Sequence, residues 1–282
     1  MKQHIFLSPH LDDVVLSCGG LLADLSQAKA PIQTITLFAG IPNSDRPISP
    51  FAAYQHQMWG TPDLAYDTRR AEDAAALACF GLESTWLDYF DCIYRGEADQ
   101  ALWYYNSDDD IFGPLHPAEI ALVQPLVEAI LAAIQIKPVS TQTIIYAPLT
   151  VGNHVDHQLA FLAALKFLRQ GYRVRFYEEY PYADRDPANL AKALTETTPT
   201  LLKQGPWSAS LLKSKAHPAL WHSTTVSFSE HALALKIRAI AAYQTQLEVL
   251  FGGAEEMAQR VQAYAAQVGQ GSLAERYWQL NL

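Results

Sequence analysis

What most constrains this chain is the order of its apolar runs. Through the first 180 residues, short β-branched or aromatic stretches alternate with longer stretches of helical period. Residues 5–8, 32–39, 86–89, 143–148 and 172–179 read as strands, and 16–29, 67–80, 117–136 and 155–169 as the helices between them. Gly81 and Gly171 stand where helices stop, and Pro138 lies just beyond the third helix. Strands separated by helices pair in parallel through right-handed crossovers. The predicted fold class is therefore α/β: a three-layer, Rossmann-like, mostly parallel sheet with helices on both faces. Ligands of such sheets gather beyond the carboxyl ends of the strands. Residues just past a strand are the ones to weigh for chemistry.

Two stretches interrupt the pattern. Residues 40–66 are rich in Pro, Ser and aromatics, and 93–116 carry Trp103, Tyr104, Tyr105 and the acidic run 108–110. Loops this long inside a compact domain form lids or binding walls. The aromatics suit either stacking on a sugar face or anchoring the loop to the core. The acidic run matches no calcium-loop spacing and reads as solvated. Past 181 the chain is less regular, with a strand at 224–228 and helices at 230–250 and 254–267. Residues 1–282 are read as one domain with inserted loops at about 40–66 and 93–116 and a helical C-terminal extension.

Half the residues are hydrophobic and 17% are charged, which is ordinary globular composition. A net charge of -9 argues against nucleic acid or an anionic membrane as the main partner. Cys18, Cys79 and Cys92 form neither a CxxC pair nor a disulfide framework. No leader-like segment and no run of eighteen apolar residues is visible. The expectation is a cytoplasmic protein without a membrane span; homo-oligomerisation is left open.

Two segments carry the chemistry. Past the first strand stand His10, Asp12 and Asp13, with Gly19 and Gly20 following. Imidazole and carboxylate are good zinc ligands, and a catalytic zinc takes three protein ligands and keeps one position open. His10 and Asp13, three apart on one turn, can supply two. Asp12 then faces the open side, placed to take a proton from an attacking water. The competing reading is that the two aspartates only cap the next helix. Past the fourth strand stand His154, Asp156 and His157. His157 suits a third ligand. His154, paired with a carboxylate such as Asp156, would be held protonated, stabilising an oxyanion and protonating the leaving amine. Two such turns, both at strand ends, make simple helix capping the weaker account of the pair.

The combination resembles the PIG-L / LmbE-like zinc deacetylases. Their His-Pro-Asp-Asp run with a following Gly pair is matched by Pro9-His10-Leu11-Asp12-Asp13, and their His-x-Asp-His run by His154-Val155-Asp156-His157. The resemblance implies zinc on His10, Asp13 and His157, one ion per chain, with Asp12 as general base and His154 and Asp156 as its catalytic partners. It further implies substrate contacts from Arg69, better matched than Arg70, and from Asp91. A later helix with Lys236, Tyr243, Thr245 and Gln246 resembles the family's Lys…His-x-Ser-Gln helix, with Tyr and Thr in place of His and Ser. Leu11 replaces the usual Pro. Some members carry a Tyr two residues before the first His of the second motif; here that residue is Gly152, so such a group would have to come from elsewhere, for example the 94–116 loop. The resemblance covers most of residues 1–180 and one later helix, and neither long loop.

The expected activity is removal of an N-acyl group, in the first place acetyl, from an amino sugar or glycoconjugate. The alternatives are hydrolysis of another small-molecule amide and a non-catalytic sugar-binding relative. Fe²⁺ or another divalent ion also suits a His₂Asp set. A nucleotide-binding reading fails because no GxGxxG follows the first strand and the carboxylates there repel a pyrophosphate.

Overall fold

A computed structural model describes residues 2–60, 65–135, 142–204 and 220–280. Its main sheet contains β1 (Gln3–Ser8), β2 (Ile32–Thr36), β3 (Ser84–Trp86), β6 (Thr143–Pro148), β7 (Arg173–Tyr177), β8 (Trp221–Ser227) and β9 (Ala274–Leu280). Strands β4 (Gly96–Glu97) and β5 (Leu102–Trp103) form a small separate hairpin in the second insertion. Across the main sheet the order is β3-β2-β1-β6-β7-β9-β8. The β3, β2, β1, β6 and β7 strands are parallel to one another, whereas β9 is antiparallel to both β7 and β8.

The strand alternation sorts side chains between two cores. Ile5 and Leu7 join one with Ile35 and Ile145, while Phe6 joins the other with Ile144 and Tyr146. Helices α1 (Asp13–Gln27), α2 (Pro50–Met58), α3 (Ala65–Ala78), α4 (Asp108–Ile111), α5 (Val123–Ala133) and α6 (Val155–Arg169) accompany the parallel strands. Three short helices follow, α7 (Tyr182–Arg185), α8 (Pro187–Lys192) and α9 (Thr198–Gln204). The chain then adds α10 (Glu230–Ile240), α11 (Gln244–Phe251) and α12 (Ala254–Val268). The α5 and α6 helices cover the Ile5 face; α1, α3, α10, α11 and α12 cover the Phe6 face. This is the three-layer α/β sheet expected.

Several local expectations need correction. The 40–66 stretch contains α2, opened by Pro50 and capped by Ser49 Oγ, which accepts the Ala52 N–H at 2.9 Å. The helix expected over 117–136 begins as a 3₁₀ segment (Pro117–Leu122); Ile136 and Pro138 lie outside the described residues. The helix expected over 230–250 is two helices, broken at 241–243. The C-terminal extension is not purely helical, because β9 enters the sheet. The first helix begins earlier than expected, at Asp13, and Gly19 and Gly20 lie inside it.

From β1 the chain moves outward to β2 and β3; from β6 it moves outward the other way to β7. The carboxyl ends of β1 and β6, hydrogen-bonded neighbours, thus flank the point where the strand order reverses. Crevices form there in open α/β sheets.

Candidate active site

Both motifs meet at that crevice. In the first, the Ser8 hydroxyl accepts the Val14 N–H at 3.1 Å, and Asp13 Oδ2 accepts the His10 N–H at 2.8 Å. Asp12 is the N-cap of α1 but makes no side-chain cap bond. Its carboxylate is therefore free for another role, which removes the simple capping account. Asp12 is buried, 3.6 Å from Arg69 Nη2. Burial raises its carboxyl above the usual range; Arg69 opposes the rise and Asp13 adds to it.

Asp13 Oδ2 stands 3.3 Å from His10 Nδ1 and 3.3 Å from His157 Nε2. Donors on a tetrahedral zinc with bonds of about 2.0–2.1 Å lie about 3.3–3.4 Å apart. Burial pushes the Asp13 carboxyl up, yet His157 and His10 outweigh it and hold it well below the usual range. His157 is fully buried, and its Nε2 makes no hydrogen bond: the Asp13 oxygen is close but badly aligned. A carboxylate oxygen and an imidazole nitrogen 3.3 Å apart with no hydrogen bond between them fit a bound cation.

The far side of each ring fits equally well. His157 Nδ1 lies 3.2 Å from Glu179 Oε1, and Glu179 also accepts the N–H groups of Leu149, Thr150 and Val151. His10 Nε2 lies 2.9 Å from Asp156 Oδ2. With a cation bound between them, each carboxylate would hold the proton on the nitrogen it touches and leave a lone pair on the other, as in carboxylate–histidine–zinc sites. Burial opposes a charge on either ring, but Asp13 with Asp156 raises His10 well above the ordinary value, and Asp13 with Glu179 raises His157 to about 9. A crevice that rich in carboxylates calls for a cation.

His154 departs from expectation. Asp156 does not bond its ring: that carboxylate is taken by His10, the Cys92 N–H and Arg95. Instead His154 caps α6, Nδ1 accepting the Asp156 backbone N–H at 3.2 Å. The proton then sits on Nε2. Burial lowers the ring to about 3, and the neighbouring His10 and His157 add to that against Asp156 and Asp91. His154 is a neutral donor here, not an imidazolium.

Arg69 and Arg70 lie in different directions. Arg69 is buried, its guanidinium 4.7 Å from the Trp59 ring centroid. Arg70 turns away to the Ala39 carbonyl and the exposed Asp88. Asp91 accepts from the Tyr66 hydroxyl and from the Ile93 N–H, and its Oδ2 lies 3.7 Å from His10 Nε2. A cavity of about 320 Å³ opens over these groups. His10, Asp12, Asp13, Arg69, Asp91 and His154 line it. The insertions supply its walls: Gln55 and Trp59 from the first, Ile93, Asp108, Ile111 and Phe112 from the second. Tyr104 is stacked on His116, and Tyr105 is buried against Glu119, so neither reaches the cavity.

Four functional candidates escape sequence reasoning. Glu179 follows β7 as the motifs follow their strands, a signal that was available. Arg95 and Glu119 sit in or beside an insertion with no pattern to mark them. Tyr182 lines the cavity from α7, its ring edge-on to His157 at 5.9 Å between centroids. It fills the space above Gly152, where a Cβ would stand 2.8 Å from Tyr182 Cγ. Burial and the nearby Asp13 and Asp12 raise its phenol, which keeps its proton.

Three kinds of comparison bear on this site. The family model described as PIG-L, GlcNAc-PI de-N-acetylase, matches residues 5–168. A 2'-N-acetylparomamine deacetylase of Niallia circulans is 28% identical over 192 residues, 64% of this chain and 68% of that protein. Its counterpart in Streptomyces fradiae is 31% identical over 196 residues; the match spans 68% of this chain and 62% of the relative. Among solved structures, the zinc-inhibited form of teicoplanin deacetylase Orf2 superposes with a TM-score of 0.74 at 26% identity, covering 98% of this chain and 97% of that one.

Proposed function

This chain belongs to the PIG-L family and is an N-deacetylase, and from that premise we propose that it uses a divalent metal, zinc in the first place, to remove an acetyl group from the nitrogen of an amino sugar in a glycoconjugate. Relatives named for acetylparomamine and teicoplanin support that substrate class. One observation carries the metal reading: Asp13 Oδ2 stands 3.3 Å from a nitrogen of His10 and from one of His157, each ring backed by a carboxylate on its other nitrogen.

His10, Asp13 and His157 would hold the metal, which when bound would supply an activated water and polarisation of the acyl carbonyl. Asp12, with its raised carboxyl, accepts the proton of the attacking water and passes it to the departing amine. Arg69 sets the charge and direction of Asp12 from 3.6 Å. His154 Nε2–H and the Tyr182 hydroxyl, both kept protonated and neutral, donate to the acyl oxygen as negative charge develops. Asp91 lines the cavity as an acceptor for sugar hydroxyls. Asp156 acts behind His10, orienting it. A single domain and a cytoplasmic setting belong to the same reading. No helix among the described residues is long and apolar enough to cross a membrane.

The test is metal content by elemental analysis with acetate release from N-acetylated amino-sugar glycosides, on wild type, His157→Ala and Asp12→Asn. About one zinc per chain is expected in wild type and Asp12→Asn and much less in His157→Ala. Asp12→Asn should lose about 10²–10⁴-fold in kcat. A wild type that takes up no metal sinks the hydrolase reading and favours a sugar-binding relative; a fully active Asp12→Asn sinks the base assignment.

A further inference from the structure

Asp156 is a fully buried carboxylate with two differently employed oxygens. Oδ2 accepts from His10 Nε2 at 2.9 Å and from the Cys92 N–H at 3.0 Å. Oδ1 accepts from Arg95 Nη1. The rest of the Arg95 fork is also engaged. Nε and Nη2 go to the two oxygens of Glu119, Nη2 at 3.0 Å, and Nη1 reaches the Phe90 carbonyl at 3.1 Å. Glu119 in turn accepts from the Tyr105 hydroxyl at 2.6 Å, and that hydroxyl accepts the His116 N–H at 2.9 Å. Arg95 is 8% exposed and Glu119 1%.

Stability alone is a poor reason for such a cluster. Buried ion pairs cost so much desolvation that apolar replacements are often neutral or stabilising. What the cluster does provide is direction. A guanidinium has a rigid planar fork: two of its donors grip Glu119, and a third holds Asp156 Oδ1 while His10 and the Cys92 N–H hold Oδ2, so the carboxylate of Asp156 is fixed from both sides. One positive charge between two negative ones also leaves a net negative charge behind the His10 ring. An imidazole held this way at one nitrogen is fixed in tautomer and more basic at the other. For His10 the other nitrogen is Nδ1, the atom 3.3 Å from Asp13.

We infer that Arg95 and Glu119 are positioning residues for the metal: they lock Asp156, and Asp156 locks the donor nitrogen of His10 toward the site. The inference rests on the reading of His10 as a ligand. The second insertion is then more than a cavity wall. The hairpin and turns of 93–119 carry the anchor of one metal ligand, through side chains remote from both motifs.

The experiment measures the zinc dissociation constant of the full chain by competition with a chromophoric chelator, together with the visible spectrum of the cobalt-loaded protein. Arg95→Met should weaken zinc binding by about 10- to 100-fold and alter the cobalt spectrum. Arg95→Lys should recover part of the affinity, since an ammonium restores the charge but not the fork. Glu119→Gln, which keeps the shape and removes a charge, should fall between wild type and Arg95→Met. A purely structural role would change thermal stability and leave zinc affinity and cobalt spectrum as in wild type; that result in a folded Arg95→Met overturns the inference. If Arg95→Met does not fold, Glu119→Gln decides: unchanged affinity overturns the inference, weakened affinity supports it. A wild type that binds no zinc instead overturns the ligand reading beneath it.

Discussion

A hydrogen-bond donor helps catalysis only if its proton stays on through the pH range of the reaction and points where charge develops. Tyr182 meets the first condition, its phenol being raised by burial and the acid pair, and it lines the cavity beside His157, where the second can be tested. Removing one such donor costs about 10²–10³-fold in kcat. Tyr182→Phe should therefore lose about that factor, keep its zinc, and change KM little. An unchanged kcat would leave Tyr182 as a mere wall. The residue was not legible in advance, since it lies on a short helix 25 positions beyond His157. Gly152 was the available hint. At φ +88° it adopts the left-handed conformation glycine favours, and the missing side chain makes room for the ring. The meeting of His10, Asp13 and His157 was legible because each stands on a turn directly past a strand of the parallel sheet, and β1 pairs with β6. The partner of His154 was not, because Asp156 had two distant competitors, His10 and Arg95, that only the tertiary fold brings near.

At the scale of elements, α1 must hold the first motif steady, and its glycine pair shows how. A Cβ on Gly20 would fall within 2.6 Å of the Phe228 ring, and one on Gly19 within 2.7 Å of Lys236 Cγ. The pair lets α1 pack closely against α10 and the residue that leads into it. The Gly20 and Leu21 N–H groups donate to Glu275 of β9 at 2.8 and 3.0 Å, and Lys236 Nζ donates to the same carboxylate at 2.8 Å. In an open helix Gly→Ala would stabilise by about 1 kcal/mol. Here overpacking should dominate, and Gly20→Ala should destabilise by about 1–3 kcal/mol, seen as a lower denaturant midpoint with unchanged m-value. A more stable Gly20→Ala would refute the close-packing account. The likeness of Lys236 to a family position thus finds a physical basis in the contact it makes with α1 and Glu275. The break at 241–243 also has a purpose, since the Tyr243 hydroxyl donates to Asp73 Oδ1 at 3.0 Å and the Thr245 N–H to Glu72 Oε1 at 2.8 Å. The apolar period of 230–250 runs through the break, so pattern alone could not reveal it.

For the molecule as a whole, the decisive element is the last strand. The parallel half of the sheet was readable because each strand is a compact apolar run between helices. The β9 strand was not, since Glu275, Arg276 and Gln279 interrupt its apolar residues. Those polar residues are nonetheless matched inside the fold. Glu275 receives donors from α1, α10 and Tyr277, while Arg276 Nη1 and Trp278 Nε1 both donate to Glu178. Because β9 lies between β7 and β8, it covers the edge of β7, the strand that leads into Glu179 and so to His157. A chain ending at Gly271 would expose that edge, which invites pairing with other chains, and would strand Lys236 as an unpaired buried charge, a cost of about 3–5 kcal/mol by itself. If residues 1–282 form one domain, the truncated chain should be aggregated or unfolded and bind no zinc, while the full chain unfolds in one transition by circular dichroism and by loss of metal together. A truncated chain that remains monomeric, folded and zinc-loaded would show instead that the last strand is an appendage and that the parallel half of the sheet carries the site on its own.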